Sequence, residues 1–170
     1  MFFVVQTIMD QRKSILFVCL GNICRSPAAE GVLQTLLAER GLADRIRVDS
    51  AGTAGYHVGK PADSRMLSAA SKRGIALTSR SRQVIASDIQ EFDLVLAMDR
   101  DNLRELMSLA REMTLDHIRL LSDFLDESWP RDVPDPYYGG QDGFEYVLDM
   151  LQAACPAILD SLEHQHQRAG

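Results

Sequence analysis

Short apolar runs alternate with stretches of helical period along most of this sequence, and that alternation restricts the fold more than any other feature. Residues 14–19 read Ser-Ile-Leu-Phe-Val-Cys, an unbroken apolar run of strand length that stops at Gly21 and Asn22, residues tolerant of positive φ. A helix follows from Pro27, which suits a first turn, through Ala29, Val32, Leu33, Leu36 and Leu37, and Gly41 ends it. The pattern then repeats. It predicts a strand over 46–49, a helix over 61–73 buried through Met66, Leu67 and Ala70, and a strand over 93–98. An Asp99-capped helix carrying Leu103, Leu106 and Met107 comes next, then a short strand over 118–121. The last helix is marked by Phe144, Val147, Leu148, Leu151, Cys155, Ile158 and Leu162, with Pro156 expected to bend it. Continuously apolar strands must be covered on both faces. The fold class is therefore α/β, a single three-layer domain with a parallel sheet between helices, whose ligands lie beyond the strand C-termini.

At 170 residues the chain is long enough to bury about two-thirds of the surface its unfolded form exposes, and too short for a second full domain. A short N-terminal extension is expected over 1–12, the domain over 13–163 and a frayed tail over 164–170. Three cysteines, Cys19, Cys24 and Cys155, show no paired metal-binding spacing, which implies a reducing compartment and no structural metal. A formal charge of -6 supplies no basic stripe for nucleic acid, and no apolar run approaches the roughly 18 residues of a membrane span. The opening Met-Phe-Phe-Val-Val lacks the basic stretch and cleavage site of a signal peptide, so a cytoplasmic protein is expected.

Between the first strand and the first helix stands Cys19-Leu20-Gly21-Asn22-Ile23-Cys24-Arg25-Ser26-Pro27. A tight loop at a helix N-terminus points backbone N–H groups inward and makes a concave site for an oxyanion. Gly21 and Asn22 permit the turns, and the planar fork of Arg25 grips two of the oxygens. The same positive environment favours Cys19 as a thiolate, a soft nucleophile beneath a bound phosphoryl group. Ser26 is placed to donate a hydrogen bond to that sulfur. The Lys-Ser/Thr pair of a nucleotide-binding loop is missing, which argues against a triphosphate with magnesium.

Breaking the phosphorus–oxygen bond of an aryl phosphate releases a phenolate, and a side chain that protonates it lowers the barrier, typically by roughly 10² to 10⁴-fold. The segment over 126–143, rich in Pro, Gly, Asp and aromatic residues and without regular period, reads as a long functional loop. Asp126, Asp132 and Asp135 are the candidate acids. Asp135 is preferred, because Pro134 and Pro136 restrict its backbone while Tyr137 and Tyr138 offer faces to an aromatic substrate.

The stretch from Cys19 to Pro27 resembles the signature loop of the low molecular weight protein tyrosine phosphatases, and Asp135-Pro136-Tyr137-Tyr138 resembles their general-acid motif. The resemblance covers nearly the entire chain. It implies a central four-stranded parallel sheet and a hydrolase that passes phosphate through a cysteinyl-phosphate intermediate, with no cofactor. It further implies Cys19 as nucleophile, Arg25 as phosphate and transition-state clamp, and Asp135 as acid, then base toward water. Asn22 shapes the loop, Ser50 supports that asparagine, Ser26 assists the thiolate, and Leu20, Gly21, Ile23 and Cys24 complete the phosphate-binding loop. Tyr56 resembles the variable aromatic on the cleft wall opposite Tyr137 and Tyr138. Cys24 also resembles the neighbouring cysteine that lets some members form a reversible disulfide, with simple packing behind the loop as its alternative. The partners implied are tyrosine-phosphorylated proteins and small aryl phosphates, with inorganic phosphate as product, and a monomer with weak self-association is expected. The first step needs Cys19 ionised and Asp135 protonated, so a bell-shaped rate profile with its maximum on the acid side of neutral is expected.

One departure concerns the histidine that in several relatives braces the loop asparagine, since the comparable region here reads Thr78-Ser79-Arg80-Ser81 and Ser79 stands in for part of that role. His57 and His117 lack a partner pattern and are assigned surface or structural roles. Three other readings remain: a related arsenate reductase, for which Cys155 is a poor relay; a protein-arginine phosphatase, whose relatives commonly carry Thr where Ile23 stands; and a phosphate-binding module without turnover.

Overall fold

The computed structural model describes residues 12–111 and 114–168, for 165–168 the backbone only. The expected extension and opening apolar stretch, up to residue 11, and the last two residues lie outside the described part. The elements run β1 (Lys13–Cys19), α1 (Arg25–Glu39), β2 (Ile46–Gly52), α2 (Ser64–Ser71), α3 (Ala86–Glu91), β3 (Leu94–Ala97), α4 (Arg100–Ala110), β4 (Ile118–Leu120), a 3-10 turn (Leu121–Phe124) and α5 (Gln141–Arg168). The four strands form one parallel sheet in the order β2-β1-β3-β4. This is the three-layer α/β architecture read from the alternation of the sequence.

Strand periodicity divides the core in two. Ile15, Phe17 and Cys19 of β1, with Leu94 and Leu96 of β3, face the layer of α1, α2 and α5. Leu16 and Val18, with Val95 and Ala97, face α3 and α4. Both faces are covered, which is why the strands carry no polar alternation. A fully buried side chain such as Phe17 contributes about 1.5–3 kcal/mol relative to leaving it exposed. From the central strands the chain leaves β1 for α1 on one face and β3 for α4 on the other. The two exits part at the C-terminal edge of the sheet and open a crevice there, where parallel α/β sheets bind ligands.

Several boundaries differ from the sequence expectation for local reasons. The second helix begins at Ser64 rather than Pro61, because Asp63 caps it by accepting from the Arg65 N–H at 2.9 Å. Its buried residues are Met66, Ala69 and Ala70, while Leu67 is half-buried. Met107 is exposed on α4. The six-residue α3 is too short to show a helical period, and Asp88 holds it by accepting from the Ile85 N–H at 2.8 Å. The last helix contains Pro156 and continues to Arg168, so the backbone of 164–168 is helical rather than an irregular tail. No helix among the described residues is long and apolar enough to cross a membrane.

Candidate active site

Cys19 ends β1 at the crevice, and its side chain is only 3% exposed. Residues 20–24 then turn back to start α1 at Arg25. The turn requires a left-handed residue, and Asn22 supplies it with φ of 55°. Cys24, at the N-cap position, contributes no side-chain cap to α1. Gly52, the last residue of β2, lies directly behind this loop: a Cβ there would stand 2.7 Å from the Leu20 carbonyl oxygen.

A directed chain of hydrogen bonds holds the loop. Asn22 Oδ1 accepts from the Arg82 N–H at 3.0 Å, which fixes the amide orientation. Its Nδ2 then donates to Ser26 Oγ at 2.7 Å and to Ser50 Oγ at 3.0 Å. Ser26 Oγ also lies within hydrogen-bond distance of Cys19 Sγ at 3.0 Å and reaches the Ala51 carbonyl at 3.4 Å, so one hydroxyl links the asparagine to the sulfur. Cys19 Sγ also accepts from the Asn22 N–H at 3.3 Å. On the other branch Ser50 Oγ donates to Glu30 Oε2 at 3.3 Å. Ser79 bears on this network only by lowering the Glu30 carboxyl. Burial pushes the Glu30 carboxyl above its ordinary value.

Arg25 is 3% exposed and runs beneath the cleft. Its Nη1 donates to Asp99 Oδ2 at 2.6 Å and to the Val133 carbonyl at 3.1 Å. Its Nη2 stands 3.6 Å from Asp135 Oδ2. Asp99, read from the sequence only as a helix cap, is both: its other oxygen accepts from the Asn102 N–H at 2.8 Å. The three candidate acids are separated in space. Asp132 is tied to Arg100, with one contact at 3.0 Å, and Asp126 to Ser128. Asp135 alone of the three lines the cleft, with Oδ1 accepting from the Tyr137 N–H at 3.0 Å.

The cleft has a volume of about 300 Å³. Cys19, Cys24 and Arg25 form its floor with the loop backbone, and Tyr56, Tyr137 and Tyr138 stand at its walls. Tyr138 is 92% exposed and packs edge-on against Tyr137 at a centroid distance of 4.9 Å. His57, expected at the surface or in a structural role, also lines the cleft. Its ring lies 6.4 Å from that of Tyr56 and 6.3 Å from that of Tyr137, against Gly21, where a Cβ would come within 2.9 Å of it. Spacing gave no signal for the cleft position of His57 or for the contact of Asp99 with Arg25, because both residues lie outside the two motifs. Cys24 is buried, and burial beside Asp63 and Cys19 pushes its thiol up to about 12. Cys155 packs in α5, also pushed up to about 12 by burial, and His117 contacts the Ile89 carbonyl. No group of three or more metal-ligating side chains occurs among the described residues.

The family model described as low molecular weight phosphotyrosine protein phosphatase matches residues 14–168. The chain is 41% identical over 155 residues to the low molecular weight protein-tyrosine-phosphatase YfkJ of Bacillus subtilis, covering 91% of this chain and 98% of that protein. Among solved structures, a protein tyrosine phosphatase from Entamoeba histolytica superimposes with a TM-score of 0.87 at 44% identity, covering 91% of this chain and 99% of the other. A Drosophila arginine phosphatase superimposes with a TM-score of 0.80 at 32% identity, covering 86% and 96%.

Proposed function

The chain belongs to the low molecular weight phosphotyrosine protein phosphatase family, and on that premise we propose that it hydrolyses phosphotyrosine in proteins, and small aryl phosphates, through a cysteinyl-phosphate intermediate. The observation that carries this reading is the meeting of three groups in one cleft. The Cys19 sulfur is held by Ser26 and Asn22, Arg25 lies beside it, and Asp135 stands 3.6 Å from Arg25. Cys19 attacks phosphorus in line as the bond to the phenolic oxygen breaks, and Asp135 gives that oxygen its proton. Asp135, now ionised, takes a proton from water as the water attacks phosphorus. The sulfur–phosphorus bond breaks, and Ser26 donates to the departing thiolate. Loop amides and Arg25 stabilise the charge on the transferring group in both steps. Asp99 and the Val133 carbonyl fix the plane of the Arg25 fork before substrate arrives.

The aromatic walls formed by Tyr56, Tyr137 and Tyr138 support an aryl substrate over phosphoserine. A panel of phosphotyrosine, phosphoserine and phosphoarginine peptides, with arsenate plus a thiol, tests the assignment on the parent and on Cys19→Ser. Phosphotyrosine hydrolysis that is lost in Cys19→Ser while phosphate still binds is the expected outcome. Preference for phosphoarginine or arsenate would move the chain to the corresponding alternative, and phosphate binding without any turnover by the parent would make it a binding module.

A further inference from the structure

We infer that Arg65 is a positioning residue for Asp135, acting through the ring of Tyr137; the inference rests on the general-acid reading above. Arg65 does not line the cleft, yet its guanidinium is held from two sides. Its Nε and Nη2 donate to the two carboxylate oxygens of Asp63 at 3.0 and 2.9 Å, a bidentate fork that fixes the plane. Its Cζ lies 5.4 Å from the ring centroid of Tyr137 and 4.8 Å from that of Phe144, within the range where an aromatic face attracts a cation. Asp63 is itself tied to the phosphate loop, its N–H donating to the Ile23 carbonyl at 2.8 Å. At the other end, the Tyr137 N–H donates to Asp135 Oδ1 at 3.0 Å. A continuous path therefore runs from the phosphate loop through Asp63, Arg65 and Tyr137 to the acid.

The acid needs such a strut because its own segment is thinly anchored. Val133 is buried and its N–H bonds the Met98 carbonyl at 2.9 Å, but Pro134 and Asp135 are exposed and only Pro136 packs inward. Beyond Tyr137, Tyr138, Gly139 and Gly140 are exposed, and a Cβ built on Gly140 meets nothing within 4 Å. The face of Tyr137 against Arg65 thus sets where the Tyr137 backbone stands, and with it the direction of the Asp135 carboxyl. A displacement of about 1 Å at such a group costs up to roughly 10²-fold in rate.

The test compares the parent with Arg65→Met, which keeps an unbranched stem and removes the fork. The substrates are phenyl phosphate and a dinitrophenyl phosphate, whose leaving group departs without a proton. For phenyl phosphate, kcat/KM is expected to fall about 10-fold, a share of the roughly 10² to 10⁴-fold a general acid supplies, while the activated ester changes by less than about 2-fold. In an Asp135→Asn background, Arg65→Met is expected to have no further effect on either substrate. Asp63→Asn retains the cap of α2 and weakens the fork. It is expected to show the same selective loss at smaller amplitude, and it keeps the inference testable where Arg65→Met does not fold. An equal fall on both substrates, or a full fall persisting in the Asp135→Asn background, overturns the inference. If Asp135→Asn itself spares phenyl phosphate, the general-acid reading fails and the inference with it. If Asp135→Asn is selective and neither Arg65→Met nor Asp63→Asn is, the inference alone fails.

Discussion

Replacing Asn22 removes the side chain on which three walls of the phosphate loop meet. It is 2% exposed, donates to Ser26 at 2.7 Å and Ser50 at 3.0 Å, and accepts from the Arg82 N–H at 3.0 Å. Each such bond is worth about 1 kcal/mol net, so losing all of them costs about 3 kcal/mol. The backbone adds a separate term, because φ of 55° is left-handed and alanine tolerates it less well than asparagine by about 1 kcal/mol. Asn22→Ala is therefore expected to lose about 4 kcal/mol and Asn22→Gly about 3 kcal/mol, the reverse of the usual order of these two residues. Urea unfolding monitored by fluorescence measures both, with the midpoint shifting at constant slope. On the proposed mechanism turnover should fall in both variants, since the loop whose amides would face phosphate is no longer held. A loss below about 1 kcal/mol in Asn22→Ala would refute the role of the hydrogen bonds. A glycine variant no more stable than the alanine one would refute the role of the backbone angle.

Gly52→Ala places a Cβ 2.7 Å from the Leu20 carbonyl oxygen and 3.2 Å from Asn22 Cβ, so the phosphate loop must move; a loss of about 1–3 kcal/mol in urea unfolding, with a raised inhibition constant for phosphate, is expected. Burial raises the Glu30 carboxyl, Asp49 adds to that rise, and Ser79, Ser50 and Arg82 oppose it. The folded state therefore holds this proton more tightly than the unfolded state. Its contribution to stability declines as pH rises from the ordinary carboxylate value through the raised one. Glu30→Gln should remove that decline, and unfolding free energies of parent and variant that run parallel across the window would count against it. Mild peroxide should convert Cys19 and Cys24 to a disulfide, seen as a mass loss of two protons reversed by reductant. Because burial holds the Cys24 thiol up to about 12, closure of that disulfide should quicken as pH rises.

Local chemistry made much of the molecule legible before any coordinates. The apolar run ending at Cys19, the stop at Gly21 and Asn22, and the helix opening by Pro27 marked a strand, a loop and a helix, and placed Cys19 and Arg25 at the two ends of that loop. Unbroken apolar strands implied a sheet covered on both faces, because a strand with one wet face alternates. The short α3 was not legible, since six residues do not complete two helical turns.

What tertiary structure alone decided is which residues distant in sequence share the cleft. Asp126, Asp132 and Asp135 are chemically alike, and the choice among them rested on neighbouring prolines and tyrosines. Arg100 and Ser128 engage the first two elsewhere, and only Asp135 reaches Arg25. The contacts of His57 with Tyr137, of Asp99 with Arg25 and of Glu30 with Ser50 were not legible, because each joins residues 20 or more positions apart in the chain. Periodicity and turn preference act between near neighbours and are written into the order of residues. Hydrogen-bond partnership across a parallel sheet depends on strand order and on the parting of β1 and β3, and these exist only once the whole core has closed.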